Sequence, residues 1–411
     1  GTLLANVLGF TDVDNRGIEG LERTVDEELA GRPGKRFTRR DALGREIKAF
    51  EERLIPALDG HSVVLTIDRY LQYVTERSLE AAYRKWKAKG AMAVLMDPDT
   101  GEVLAMATRP TFDPHTPGDS PYENYRNRTV TDMFEPGSVF KIVTATGVLS
   151  EQKITMEEKI YCEQGEWRYG AKVLHDVHPY GPLTFPEIIV KSSNIGTVKL
   201  AARLGNDLLY RYIRLFGFAQ KTGIDLPGEA AGFIRAPKDW SKTSPVAIPI
   251  GQEVMTTAIQ LTRAISFVAN GGRLVTPYVL ERVEDVHGVT LRQREGKEEF
   301  PQIAPTVAAD LRGILRRVTE EGTGKKAQIK GVPTAGKTGT AQKVLPNGRG
   351  YSHSNFMSSF IGFAPADEPT LAMVVVLDDP KPLYYGGTVA APVFSEVMEA
   401  ALIYQGYAPP A

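Results

Sequence analysis

The sequence predicts an α+β fold, an antiparallel sheet of about five strands flanked by terminal helices, with a helical insertion between the early and late strands. Three observations predict it. Ala91–Met96 and Glu102–Ala107 are apolar runs joined by Asp97-Pro98-Asp99-Thr100-Gly101, a hairpin signature. Val332–Val344, Phe356–Phe363 and Leu371–Leu377 are three further strand patterns, separated by Pro346-Asn347-Gly348 and by residues 365–369. Between these groups, from about Ser138 to Glu321, the pattern is mostly helical and broken by Gly and Pro. A sheet built from an early hairpin and three late strands must bring the two ends of the chain together.

The elements follow in order. Gly17 to Gly31 reads as a helical stretch, and the basic, turn-rich segment after it carries Arg32, Lys35, Arg36, Arg39, Arg40 and Arg45. Residues 1–60 therefore read as an appendage and linker. Asp12-Val13-Asp14-Asn15-Arg16-Gly17 imitates the start of a calcium loop, but Arg16 and Arg23 stand where that loop needs ligands, so it is rejected. From Ser62 a short strand, SVVLTID, leads into a helix with Leu71, Val74, Leu79, Ala82 and Trp86 at near-helical spacing. Thr256 to Asn270 is a helix closed by Gly271-Gly272, and the last helix runs from about Val389 to Tyr404. The first and last helices are expected to share one face of the sheet.

Composition narrows the function. With 42% hydrophobic and 24% charged residues over 411 positions, the chain is an ordinary globular one. Its 49 basic and 50 acidic residues leave a charge of −1, which gives no electrostatic case for nucleic acid. The single cysteine, Cys162, allows no intrachain disulfide. The longest apolar runs, such as Leu371–Leu377, are far shorter than the ~18 to 20 residues of a membrane span. The start at Gly1-Thr2 suggests a fragment with any anchor upstream.

Chemistry is carried by three short patterns. Ser138-Val139-Phe140-Lys141 follows Glu135-Pro136-Gly137, so Ser138 sits at the start of a helix and Lys141, three residues on, shares its face. A lysine of lowered pKa is a competent base for a serine nucleophile. This spacing arises by chance about once in a chain this long. Indeed Ser150-Glu151-Gln152-Lys153 repeats it, where the same helix should be ending. Ser192-Ser193-Asn194 precedes the apolar helix Ile195 to Leu204 and offers a hydroxyl and an amide. Lys337-Thr338-Gly339-Thr340 lies in a strand pattern, its glycine read as opening the strand edge to a ligand. Lys221-Thr222-Gly223 lacks the following hydroxyl residue and reads as a loop. Gly322-Thr323-Gly324-Lys325-Lys326 lacks the earlier glycine of a phosphate loop, and His175, Asp176 and His178 are taken as loop residues with no metal role.

Together, Ser-Xaa-Xaa-Lys, Ser-Xaa-Asn and Lys-Thr-Gly resemble the penicillin-binding protein and serine beta-lactamase superfamily. Asn127-Arg128-Thr129 leading to FEPGSVFK, with DPDTGEVLAMAT, GQEVMTTAIQLTRAISFVANGG, SFIGFAPADEP and YYGGTVAAPVF, is similar to class B penicillin-binding proteins of the septal, division type. The resemblance implies the transpeptidase fold over 61–411 and a remnant of an N-terminal pedestal or dimerisation-type region and linker over 1–60. It implies that Ser138 attacks the carbonyl between the two D-alanines of a peptidoglycan stem peptide, with Lys141 as base. Ser192 then relays protons, Asn194 holds Lys141 and the substrate amide, and Lys337, Thr338, Gly339 and Thr340 receive the substrate carboxylate. Backbone N–H groups of Ser138 and Thr340 are the implied oxyanion hole. No cofactor or metal is implied. The implied partners are stem peptides, beta-lactam antibiotics and division membrane proteins, at the periplasmic face of a membrane to which an N-terminal segment anchors the protein. A D,D-carboxypeptidase, or a beta-lactam sensor or division scaffold without turnover, would carry the same residues.

Overall fold

The structure is a computed structural model that describes residues 1–38, 40–45, 53–170, 172–294, 300–345, 348 and 350–407. Arg39 of the basic segment and the Pro346-Asn347 turn lie outside the described residues. The elements that matter for the site are, in chain order, α1 (Arg69–Lys85), β1 (Gly90–Met96), β2 (Val103–Arg109), α2 (Lys141–Ser150) and α3 (Asn194–Leu204). After them come α4 (Ala258–Ala269), α5 (Pro305–Glu320), β3 (Ala335–Val344), β4 (Tyr351–Ala364), β5 (Leu371–Asp378) and α6 (Ala391–Tyr404).

The five strands form one sheet in the order β3-β4-β5-β1-β2, every neighbour antiparallel. The early hairpin thus joins the late strands through β5 and β1, where Val374 faces Val94. Strand β5 is covered on both faces, which is why it reads as an unbroken apolar run instead of alternating. Leu371, Met373, Val375 and Leu377 pack with α1 and α6 on one side, and Ala372, Val374 and Val376 join the core of the helical insertion on the other. Asp68 caps α1 by accepting the N–H groups of Tyr70 and Leu71 at 2.8 and 2.9 Å. Helices α1 and α6 share one face of the sheet, as the pattern requires.

Two expectations need correction. Gly17 to Gly31 is not one helix: Gly17–Glu19 is a strand paired with Phe10–Thr11, followed by short helices Gly20–Thr24 and Asp26–Leu29. The cause is close backbone approach, since a Cβ on Gly9 would lie 1.8 Å from Glu19 O and one on Gly17 1.9 Å from Glu22 O. The helical insertion also contains two small antiparallel pairs, Lys159–Tyr161 with Pro182–Thr184 and Glu166–Tyr169 with Lys172–His175. Residues near the start of the chain are tied to the main core, where Val7, Leu21 and Val25 are buried and Leu4 donates its N–H to Glu76 at 2.7 Å.

Candidate active site

Ser138 lies on a single 3-10 turn, Gly137–Phe140, immediately before α2. Gly137 has φ +61 and its N–H bonds Gly251 O at 3.0 Å, while a Cβ there would meet Ala341 Cβ of β3 at 2.9 Å. Glycine is therefore needed both for the turn and for its approach to the strand. Val139 and Phe140 are fully buried and anchor the turn, leaving Ser138 half-buried at the cleft.

Lys141 begins α2 with its side chain wholly buried. Its ammonium donates to Ser192 O at 2.6 Å, Asn194 Oδ1 at 2.8 Å and Ser192 Oγ at 3.2 Å. Lys337, also wholly buried, donates to the same Ser192 Oγ at 2.9 Å and to Thr338 O at 3.2 Å. One hydroxyl thus bridges two lysines drawn from opposite sides of the cleft. Burial pulls the Lys141 pKa down to about 7, with the Asp176 carboxylate partly opposing it. Burial, followed by the charge of Lys141, holds Lys337 well below the usual lysine range. Among the described residues the Ser138 hydroxyl makes no hydrogen bond to Lys141. Lys141 is instead bonded to Ser192 and Asn194 of the Ser192-Ser193-Asn194 segment.

That segment is held by a residue which the sequence reading took as a loop position. Asp176 Oδ1 accepts the N–H groups of Asn194 at 2.5 Å and Ile195 at 3.1 Å, and its Oδ2 accepts the Ser193 hydroxyl at 2.6 Å. The neighbouring His175 carbonyl accepts Asn194 Nδ2 at 2.8 Å. Ser192 itself has φ +58, a left-handed conformation costly for a residue with a Cβ, which these bonds help to maintain. Asp176→Ala is expected to cost ~1 to 3 kcal/mol of stability in thermal unfolding and to slow acylation on the order of tenfold. Asp176→Asn keeps an oxygen for the two N–H groups and should recover part of both. Residue type and spacing give no sign of it, because its partners lie 17 to 19 residues further along the chain.

On the opposite wall, β3 is the edge strand and carries Lys337, Thr338, Gly339 and Thr340. Thr338 Oγ1 shares a hydrogen bond with Thr323 Oγ1 at 2.6 Å, and Thr340 Oγ1 accepts the Gly386 N–H at 3.1 Å. Gly339 does not serve as expected. A Cβ there would lie 2.3 Å from Ser359 Oγ, 2.9 Å from Val139 Cγ1 and 3.0 Å from Pro136 O. Its missing side chain makes room for the serine-bearing turn against the strand, not for a ligand.

These segments surround a cleft of about 580 Å³ lined by Ser138, Ser192, Asn194, Thr338 and Thr340, with Lys141 and Lys337 beneath it. Tyr384 and Tyr385 form a further wall, Tyr384 stacking on Phe356 with ring centroids 3.9 Å apart. The other Ser-Xaa-Xaa-Lys serine, Ser150, is the last residue of α2. Lys221-Thr222-Gly223 is a loop closed by Glu229, which accepts the Thr222 hydroxyl at 2.6 Å. Gly322–Lys326 follows α5 as a turn, though its Thr323 reaches the cleft. Among the described residues there is no cluster of His, Cys, Asp and Glu able to hold a metal.

The penicillin binding protein transpeptidase domain matches residues 91–399. Over its whole length the chain is 37% identical to the stage V sporulation protein D of Bacillus subtilis, covering 64% of that protein. Over 98% of its length it is 36% identical to the peptidoglycan D,D-transpeptidase FtsI of Escherichia coli, covering 66% of it. The chain thus spans just under two thirds of these relatives. The crystal structure of penicillin binding protein 3 of Mycobacterium tuberculosis complexed with aztreonam superposes on all of this chain and 90% of that one, with TM-score 0.87 and 32% identity. The same protein complexed with ampicillin gives TM-score 0.86 at 32% identity, over 99% of this chain and 88% of that one.

Proposed function

The chain belongs to the penicillin-binding protein transpeptidase family, and from that premise we propose that it is a serine D,D-transpeptidase that cross-links peptidoglycan stem peptides. The observation that carries the reading is the convergence of Lys141 and Lys337 on the hydroxyl of Ser192, beside Asn194 and in one cleft with Ser138, Thr338 and Thr340.

Each step follows from these groups. The Lys141 ammonium uses its three donors on Ser192 O, Ser192 Oγ and Asn194 Oδ1, so the protonated form has no lone pair to offer. Loss of one proton, favoured by burial, frees a lone pair for the Ser138 hydroxyl. Ser138 Oγ attacks the carbonyl joining the last two D-alanines, and its proton passes to Lys141. The negative oxygen forms between the backbone N–H groups of Ser138 and Thr340. Collapse breaks the peptide bond, the Ser192 hydroxyl relays the proton to the departing D-alanine amine, and an acyl-enzyme remains on Ser138. An amine from a second stem peptide attacks it, and the reverse proton path restores Ser138. The hydroxyls of Thr338 and Thr340 supply donors for the terminal carboxylate, whose own negative charge favours the protonated form of the nearby Lys337.

Beta-lactams fit the same scheme, because their ring amide replaces the D-alanyl-D-alanine bond and their leaving group stays attached. The division-type resemblance supports a role in septal wall synthesis, at the extracytoplasmic face where peptidoglycan lies. Residues 61–411 are then the transpeptidase domain and 1–60 the remnant of a pedestal and linker that engages division membrane proteins. No described helix is long and apolar enough to cross a membrane.

Stem pentapeptides supplied as donor and acceptor, followed by mass analysis, test the reaction. The expected product is a cross-linked dimer with release of D-alanine. Tetrapeptide alone would make the protein a carboxypeptidase, and stable acylation by penicillin without any peptide turnover would make it a sensor.

A further inference from the structure

By microscopic reversibility the amine that resolves the acyl-enzyme stands where the D-alanine amine left, within reach of the Ser192 hydroxyl. The departing D-alanine is held at its other end by the threonines of β3. Thr340 Oγ1 accepts the Gly386 N–H at 3.1 Å, which leaves its own proton to donate to that carboxylate. Thr338 shares its hydrogen bond with Thr323 at 2.6 Å, so this wall of the cleft continues into the turn after α5. The body of an incoming peptide then extends past Thr338 and Thr323 toward that turn.

The turn is Gly322-Thr323-Gly324-Lys325-Lys326, the segment that imitates a phosphate loop in the sequence. Its backbone is fixed. Gly324 N–H bonds Val318 O at 3.0 Å, Ala327 N–H bonds Gly324 O at 2.8 Å, and Ala327 is fully buried. A Cβ on Gly322 would lie 2.6 Å from Val190 O, so the turn packs against the residue that precedes Lys191 on the opposite wall. Among the described residues Lys191, Lys325 and Lys326 line this cleft and no carboxylate does. Lys191 has neighbours of its own, with its Nζ 5.4 Å from the Tyr180 ring and Glu187 one helical turn before it. Lys325 and Lys326 are exposed and have no ion pair among the described residues. The acids beside them are already taken, Glu320 by Arg316 at 2.7 Å and Glu321 by Arg317 at 2.5 Å. Two free ammonium groups next to a carboxylate site favour a ligand with more than one negative charge. Resting on the transfer reaction proposed above, we propose that the end of the cleft from Thr323 to Lys326 is the acceptor subsite. There Lys325 and Lys326 select an anionic peptide amine, an acceptor stem peptide whose carboxylates are free instead of amidated.

The test uses the whole chain and a stem tetrapeptide, which lacks the last D-alanine and so acts as acceptor but not as donor. It is prepared with its carboxylates free and with them converted to amides. Binding is read first, by NMR titration of protein carrying Ser138→Ala, so that no turnover is required. The free acid is expected to bind about tenfold more tightly than the amide, an advantage that falls about threefold between about 0.05 and 0.5 M salt. Adding Lys325→Gln and Lys326→Gln, which keep a polar end on two exposed side chains, is expected to reduce the advantage to about twofold. Comparing the four affinities cancels the contribution of Thr338 and Thr340. Equal affinities in the starting protein, or an advantage that both glutamines leave intact, would overturn the selection by the two lysines. Transfer is read second, with active protein and a thioester donor, as the ratio of cross-linked to hydrolysed product. The free acid is expected to raise that ratio about tenfold, and the two glutamines to remove most of the gain. A preference in binding with none in this ratio would overturn the acceptor assignment. Hydrolysed product alone with every peptide would overturn the transpeptidase reading, while the affinities still decide for or against the two lysines.

Discussion

Replacing Ser138 by alanine is expected to lower the proposed transpeptidation, and penicillin acylation with it, by roughly four to six orders of magnitude while leaving the protein folded. The expectation is large because the other groups of the cleft act on a bond that only this hydroxyl attacks. Lys141, Ser192, Asn194 and Lys337 are already bonded to one another without it. Their network should therefore survive the substitution, and so should thermal stability, since Ser138 is half-buried and its turn is fixed by Val139, Phe140 and Gly137. Rates of a thioester donor and of penicillin acylation, measured beside an unfolding curve, check both halves. A Ser150→Ala control should leave the rates unchanged, because Ser150 lies at the far end of α2 from Lys141.

Acylation is expected to rise about tenfold per pH unit below pH 7 and to level off above it. The sign follows from the base: Lys141 accepts a proton only when neutral, and burial places its pKa at about 7. Lys141→Ala should lower the acylation rate by about two to four orders of magnitude and abolish this limb of the profile. Removing the carboxylate that opposes the shift, as in Asp176→Asn, moves the limb toward lower pH. The same group ties stability to pH. Between about pH 7 and the unfolded value of 10.5, the unfolded chain holds a proton that the folded one has released, so this contribution to stability increases with pH across that window. The adjacent Lys337, depressed in the same direction by burial and by Lys141, widens the window.

Much of this site was legible because its chemistry is local in sequence. Ser138 and Lys141 sit one turn apart, Ser192 and Asn194 open one helix, and Lys337 to Thr340 lie on one strand, so residue type and spacing identify them before any fold is known. The sheet was legible because hydrophobic runs and turn residues mark strands directly. What could not be read depends on contacts far apart in the chain. Asp176 owes its importance to the N–H groups of Asn194 and Ile195, and nothing in its own neighbourhood signals that. Gly339 looks like an opening for a ligand until Val139 and Ser359 are seen against it. The single helix expected over residues 17–31 fails because Gly9 and Gly17 let backbone segments approach closely, a requirement of the folded packing that helical periodicity does not report. Spacing placed Lys141 over Ser138. The structure bonds it to Ser192 and Asn194 instead, because those acceptors surround a fully buried ammonium.

The central claim, that Ser138 is the nucleophile of an acyl-enzyme, is tested most directly by intact mass measurement after incubation with benzylpenicillin, followed by peptide mapping. The account predicts one persistent adduct per chain, located on Ser138 and absent from Ser138→Ala. An unmodified but folded protein, or an adduct mapped to Ser150 or any other residue, would contradict it.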